Sequence, residues 1–421
     1  MAPKSKTNEL VNLAVYVREC YDWSEDFMSG HHTRFIERYR HWRQIFPSNF
    51  GTRSRLYVPK TTALILNVIP RLIGDDPTIR VVPRGDTPME NAAAHQAAIQ
   101  YETAKMDYFM RLYFQMQDSL VYGLGVRKNI WWTQVETIRR RLSQGEMGDL
   151  MEIGIEPPSF IMDSQVVYDG PWSEEVDIFD YYPDPDNADP MYMNFVCLTD
   201  TLTELDMREL AEIGFLRGVD GYFGRIRGSE QRAGAGVDRP AEDKKRERDT
   251  IAGIRSERKM KSKAPKQLQD HGIIDFWGRV PIGLVPQNIK DQITAAAKFS
   301  GVRFNPKYVK MNVIVTMEER TVLRAAAFPY FHNELPIVLA TPTPLKGEHI
   351  GLGIIELMQG LQEYELYRRN NLIDNINRGA NGMWKKLRGS RIKDMDLISR
   401  SGGSITVDRM DELQPLENPN A

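Results

Sequence analysis

Residues 166–191 read VVYDGPWSEEVDIFDYYPDPDNADPM. Val166–Tyr168 has the β-branched and aromatic character of a short strand, and Asp169-Gly170-Pro171 reads as a turn. A second apolar stretch ends at Tyr182-Pro183-Asp184-Pro185. Proline at 183, 185 and 190 removes backbone donors and pushes each preceding residue out of the helical region, so the expected structure is a rigid, extended loop. The carboxylates of Asp180, Asp184, Asp186 and Asp189 invite comparison with a calcium loop. Their spacing argues against it, because Asp184-x-Asp186-x-Ala188-Asp189 lacks the mid-loop glycine and the distal glutamate of an EF-hand. Asp and Pro build turns unaided, and a structural turn is the reading.

Outward from this stretch the chain mixes helical and strand patterns, which predicts an α+β fold. Thr7–Phe46 carries two amphipathic segments broken at Ser29-Gly30; Leu10, Leu13, Ala14, Val17 and Tyr21 share a face of the first, Phe35, Ile36, Tyr39 and Trp42 of the second. Asn91–Tyr122 reads as one further helix opened by Asp86-Thr87-Pro88, its Met and aromatic stripe suited to core or subunit packing. Strands are expected around 126–138 and 166–182, then a short helix at Glu204–Ile213 introduced by Thr203. Strands return at Ile273–Trp277, Val309–Thr316 and Thr321–Ala325, the last two joined by a Met-Glu-Glu-Arg turn. Between them, about 228–269, glycine, alanine and dense mixed charge (DKKRERD, RSERKMKSKAPK) predict a flexible or marginally helical, solvated surface insertion.

Glu348–Arg378 carries the strongest helical signal. Ile350, Ile354, Leu357, Met358, Leu361 and Tyr364 recur at three- and four-residue spacing, the phase drifts, and Leu372, Ile373 and Ile376 resume it. At 1.5 Å per residue such a helix spans about 45 Å. Its stripe, interleaved with Gln, Asn and Glu, is buried only against other long helices.

Length and composition set the limits. At 421 residues the chain has room for two to three domains, and 41% hydrophobic with 10% aromatic content excludes wholesale disorder. A net charge of -2 does not mark a nucleic-acid binder. Cys20 and Cys197 form no C-x-x-C pair, so neither a zinc site nor a disulfide framework is indicated. The start, MAPKSKTNEL, has no apolar signal region, and no stretch reaches membrane-spanning length, so no membrane association is expected. There is no G-x-x-x-x-G-K-[ST], G-x-S-x-G or H-E-x-x-H. Gly123-Leu124-Gly125 lacks the third glycine of a dinucleotide loop and reads as a bend before a strand; His31-His32 reads as a solvated turn. The expectation is therefore no catalytic residue, cofactor or metal, and not an enzyme.

Several further segments fall in a telling order: Trp42; Ser54-Arg55-Leu56-Tyr57-Val58-Pro59; Ile79-Arg80-Val81-Val82-Pro83; then Asp118-Ser119-Leu120-Val121-Tyr122-Gly123-Leu124-Gly125-Val126-Arg127-Lys128 with Ile130-Trp131-Trp132. The Asp-Pro stretch above comes next. After it stand Asp275-Phe276-Trp277-Gly278-Arg279, the run from Phe328-Pro329-Tyr330 to Leu335-Pro336-Ile337-Val338, and the long helix with Gln359, Gln362, Asn371, Asp374 and Asn375. Across nearly the whole chain this series resembles the podovirus-type portal proteins of tailed bacteriophages, the head-to-tail connectors of virions.

The resemblance implies a homo-oligomeric ring of about twelve copies at one capsid vertex, closed by cyclic symmetry. It implies a conduit for double-stranded DNA during packaging and ejection, assembled in the host cytoplasm, with the terminase large subunit, a head-tail adaptor, and the major capsid and scaffolding proteins as partners. Residues 1–345 would form the wing, 346–379 the stem helix and 380–421 the start of the clip, with the crown expected to be absent from this chain. Ile354, Leu357, Met358, Leu361 and Tyr364 are then candidates for subunit packing. Lys385, Lys386, Arg388, Arg391 and Lys393 are candidates to approach DNA or terminase, and DNA binding should be weak and non-specific, because each tight phosphate contact would act as a brake. From other classes, a metal-dependent DNA-processing enzyme using the Asp180–Asp189 carboxylates with magnesium, or another virion part such as a tail adaptor, remain the alternatives.

Overall fold

The computed structural model describes residues 4–46, 50–74, 79–85, 88–143, 151–153, 160–229, 245, 247–251, 270–299, 307–330, 332–380, 384–388, 391–393 and 413–415, with isolated residues 145, 147, 407 and 409. It is an α+β fold. Helix α1, Lys4–Trp42, runs unbroken for 39 residues. The break expected at Ser29-Gly30 is not there: both residues lie on the exposed side, while Met28, His32 and Phe35 beside them are buried. A helical glycine costs only about 1 kcal/mol, less than burial of those neighbours returns.

The helix expected over Asn91–Tyr122 is two helices, α3 (Met89–Lys105) and α4 (Tyr108–Tyr122), after α2 at Lys60–Ile73. Asp107 between them takes a left-handed conformation, φ 50°, which redirects the chain. Gly123 then caps α4 at φ 87°, its N–H bonded to Ser119. The bend before a strand is therefore present, and β1 starts at Gly125.

Strands β1 (Gly125–Arg140) and β2 (Ile161–Val176) pair antiparallel along their length. The predicted strand and turn at 166–171 are one continuous strand, with Gly170 opposite Trp132 and Pro171 opposite Trp131. β2 is the edge of a sheet ordered β2-β1-β8, where β8 is Ile337–Ala340, and an edge strand tolerates a proline that donates nothing.

The second sheet is five-stranded and antiparallel, ordered β3-β4-β5-β6-β7: Tyr181–Pro183, Phe195–Thr203, Asp270–Pro281, Tyr308–Thr316 and Val322–Ala327. The strands predicted at 273–277, 309–316 and 321–325 all lie within it. Alternation along β5 and β6 sorts the residues onto two faces. Ile274, Phe276, Val313 and Val315 join the main core under α1, whereas Ile273 and Ile314 join a smaller core with Met207, Leu216, Tyr222 and Phe223. Met207 comes from α5 (Glu204–Glu212), capped as predicted by Thr203, Tyr222 and Phe223 from α6 (Val219–Ser229), and Leu216 from the turn between them. Helix α7, Gln287–Phe299, follows β5.

Helix α8 runs Ile354–Ala380, beginning six residues later than its apolar spacing suggests. Ile350 is buried but not helical, because the chain before α8 is held flat against the α4–β1 bend: Gly351 donates to the Gly123 carbonyl at 3.2 Å. A Cβ on Gly123 would stand 2.1 Å from the Gly351 oxygen, so this backbone contact requires glycine. A last pair, β9 (Trp384–Lys386) and β10 (Leu413–Pro415), is antiparallel. Among the described residues no helix is long and apolar enough to cross a membrane.

The 228–269 insertion lies mostly outside the described residues. Of its described residues, 228–229 end α6, and 245 with 247–251 are helical and docked: Arg248 donates to both Asp177 oxygens at 2.7 and 2.6 Å, Lys245 bonds Asp180, and Ile251 packs on the main core. This segment is not a solvated run.

Candidate assembly surface

Helix α8 departs from the usual order of a surface helix: polar side chains make its inward hydrogen bonds, and most of its large apolar residues face out, Ile355 and Leu366 being the buried ones. At four-residue spacing Gln362, Leu366, Asn370 and Asp374 are buried. Gln362 donates to the Val58 carbonyl. Asn370 accepts from Leu56 N–H at 2.8 Å and donates to the Leu56 carbonyl at 3.0 Å, as a strand neighbour would. Asp374 accepts from the N–H groups of Arg53 and Ser54 at 2.8 and 2.9 Å and from the Ser54 hydroxyl. The segment Arg53–Val58 forms neither helix nor sheet there, so its backbone groups need these side chains as partners.

The amino-terminal end of α8 is tied to α1. Buried Arg38 donates to the Glu356 carboxylate and the Tyr122 carbonyl, and His41 lies 3.2 Å from Glu363. Burial lowers the affinity of the Arg38 guanidinium for its proton and Glu356 works to restore it.

With the polar side committed inward, the opposite side carries Leu357, Leu361 (61% exposed), Tyr364, Tyr367, Leu372 (60% exposed) and Ile376 to the surface. Leu357, Leu361 and Tyr364, three of the five residues expected to pack subunits, lie on this stripe. Ile354 and Met358 are half-buried, Ile354 packing against the protomer's own core. Leu372 and Ile376, read from the periodicity as resuming the stripe, lie on this surface too, while Ile373 is half-buried; Tyr367 was missed, and the inward Gln362–Asn370–Asp374 row, read as the opposite face, would have found it.

The basic cluster stands just past α8. Lys385, Lys386, Arg388, Arg391 and Lys393 are all exposed, Lys385 and Lys386 on β9. The Lys386 ammonium donates to the Ile392 carbonyl at 2.9 Å.

The Asp-Pro stretch folds as a turn built around one carboxylate. Asp184 is fully buried and accepts from Asp186 N–H, the Asn187 amide and both the N–H and amide of Asn194, at 3.1, 2.9, 2.9 and 2.9 Å. Its carbonyl takes a 2.6 Å bond from His349. Asp180 is paired with Thr199 and Lys245, and Asp189 caps Met191 N–H. Asp184 is thus occupied by donors of its own fold.

Asp118, Glu175 and Asp177 lie close enough to perturb one another. Burial and the neighbouring carboxylates lift Asp118 well above the ordinary range, and burial with Asp177 pushes Glu175 up to about 6. Burial acts on Asp177 in the same direction, yet the Arg248 and Lys245 charges outweigh it and hold Asp177 below its ordinary value. His32, expected in a solvated turn, is instead buried against Phe179 and Tyr182. Both buried cysteines are free thiols.

The segments singled out in the sequence converge. Lys128 reaches Asp275 at 2.8 Å, which also accepts from Trp277 and Asn312. Gly123 meets Gly351, Asp184 meets His349, and Ser54 meets Asp374. No protein-family model matches the chain, and no curated protein matches it at a significant level.

Proposed function

We propose that this chain is the protomer of a portal-type ring, a structural connector at one vertex of a bacteriophage capsid through which double-stranded DNA is packaged and ejected. The observation that carries the reading is the α8 surface. Leu357, Leu361, Tyr364, Tyr367, Leu372 and Ile376 expose a continuous apolar stripe on a 27-residue helix whose other side is already bonded to its own body. A stripe of that length is stable in water when another copy covers it. The order of sequence segments resembling portal proteins gives the assembly its identity.

In this reading residues 1–345 are the wing, 346–379 the stem helix and 380–421 the start of the clip. The exposed basic cluster at 385–393 sits where the clip would meet the terminase large subunit and then a head-tail adaptor. Capsid and scaffolding proteins would contact the wing. DNA contact would be weak and independent of sequence. The metal-dependent nuclease alternative loses its main ligand, since Asp184 is buried and saturated by protein donors.

Negative-stain microscopy of the purified protein tests the reading. Rings with a central hole are expected. A field of isolated small particles at micromolar concentration would contradict it.

A further inference from the structure

The stripe on α8 has a matching surface on the same chain, too far away to be used within one copy. Along α1, Val11, Val15, Glu19 and Trp23 are all exposed and recur every fourth residue. On α8, Tyr364, Arg368, Leu372 and Ile376 do the same. Both rows span twelve residue steps, about 18 Å at 1.5 Å per residue.

Set antiparallel, the rows agree in kind. Val11 meets Ile376, Val15 meets Leu372, Glu19 meets Arg368 and Trp23 meets Tyr364. Two turns further on, Leu357 falls opposite Gly30, where nothing stands within 4 Å of the missing Cβ. Leu361 against Asp26 is unmatched, Tyr367 falls opposite buried Cys20, and Arg18 and Asp22 fall opposite Arg369 and Glu365, like charge to like, each held by its partner on its own helix. Asp22 and Arg369 already pair on their own helices, with Arg18 at 2.7 Å and Glu365 at 2.7 Å, which leaves Glu19 and Arg368 as the charges free to meet.

Within one protomer the two rows do not touch. The contacts of α1 with α8 run through Arg38 and His41, in the carboxy-terminal half of α1. Trp23 precedes Arg38 by fifteen residues, about 22 Å along the helix axis. The α1 row therefore requires the α8 of another molecule, and each copy carries one of each surface. Such a head-to-tail contact repeats until it closes into a ring or runs on as a filament.

Resting on the ring reading above, we propose that the outer face of α1 in one copy receives the apolar stripe of α8 from the next, with Glu19 and Arg368 as the ion pair that sets the register. Apolar area supplies the attraction, while a reversed charge opposite its like is strongly penalised at the centre of such a contact.

Charge reversal tests it, since Glu19 and Arg368 are both exposed and their substitution leaves the core intact. Glu19→Arg and Arg368→Glu should each weaken assembly about tenfold or more, and the double variant should recover it, read by light scattering across a dilution series. Melting temperatures of the dissociated variants should match each other. In parallel, Val15→Cys with Leu372→Cys should cross-link between copies under mild oxidation, against a background in which Cys20 and Cys197 are buried. If both single reversals assemble like the parent, or the double variant is no better than the singles, the α1–α8 contact is overturned. Should Leu361→Asp still dissociate the assembly in that case, the ring stands and the stripe is covered by another face, by residues beyond 387 or by a different protein. A parent protein that is monomeric at micromolar concentration removes both proposals.

Discussion

Asp374 holds Ser54 by two bonds at once, taking its N–H at 2.9 Å and its hydroxyl at 2.5 Å. This pair decides which way α8 faces. Four otherwise idle backbone groups of the 53–58 segment end on Asp374 and Asn370, so the helix docks by its polar side and Leu357, Leu361 and Leu372 are left outside. Asp374→Ala strands the N–H groups of Arg53 and Ser54 in a half-buried setting and should cost about 1–3 kcal/mol for each group left unpaired. Urea unfolding followed by tryptophan fluorescence would show this as a lower midpoint, with Asp374→Asn intermediate. An unchanged midpoint for the alanine variant would mean that the segment finds other partners.

The Arg248–Asp177 pair predicts that the charged insertion is not dispensable as a unit. Arg248→Ala leaves the Asp177 carboxylate beside Glu175 and Asp118 with only Lys245 to offset it, and loss of a partly buried partner of this kind costs about 3 kcal/mol. Removing residues 231–243 should spare the thermal transition, whereas removing 245–251 should lower it as far as Arg248→Ala does or further. Equal melting temperatures for both deletions would contradict the role given to the docked segment.

His32 sets a pH dependence. Burial, with a smaller contribution from His31, holds its imidazole down at about 4 against an ordinary 6.5. As pH falls from 6.5 towards 4 the unfolded chain takes up the proton and the folded one does not, so stability is present above 6.5 and declines through that window, by up to about 3 kcal/mol from this residue. Glu175, raised to about 6, acts in the opposite sense, losing its contribution as pH rises. The comparison of parent with His32→Phe cancels that opposing part: the variant should lose less stability between pH 6.5 and 4. Parallel curves for the two proteins would show that His32 does not titrate as described.

If the ring is a DNA conduit, Lys385, Lys386 and Arg388 act after assembly and not during it. Replacing all three by alanine should leave particle mass unchanged and reduce packaging of DNA into capsids. Weak DNA retention by the parent should fall steeply with salt, as binding through phosphate contacts does. Normal packaging by the triple variant would place the cluster away from both DNA and motor.

Much of the architecture was legible because its signals are local. The Thr203 cap, the strands at 273–277 and 309–316 and the Asp184 turn each follow from side chains next to them in sequence. What was not legible depends on distant partners. A proline in β2 is allowed only because that strand lies at a sheet edge, and Gly30 stays helical only because Met28 and Phe35 are buried beside it. The orientation of α8 was hidden for the same reason. Its apolar spacing predicts a buried leucine face, and only Ser54 and Leu56, some three hundred residues earlier, show that the polar face is the one spoken for.

The mass of the assembled particle is the most direct test of the account. Light scattering on the purified protein should give one closed species at a fixed multiple of the 48.4 kDa chain, unchanged over a wide dilution range. Leu361→Asp should bring that species down towards the single-chain mass without unfolding it. A parent protein that scatters at 48.4 kDa at micromolar concentration, with the α8 stripe bare, would contradict the central claim.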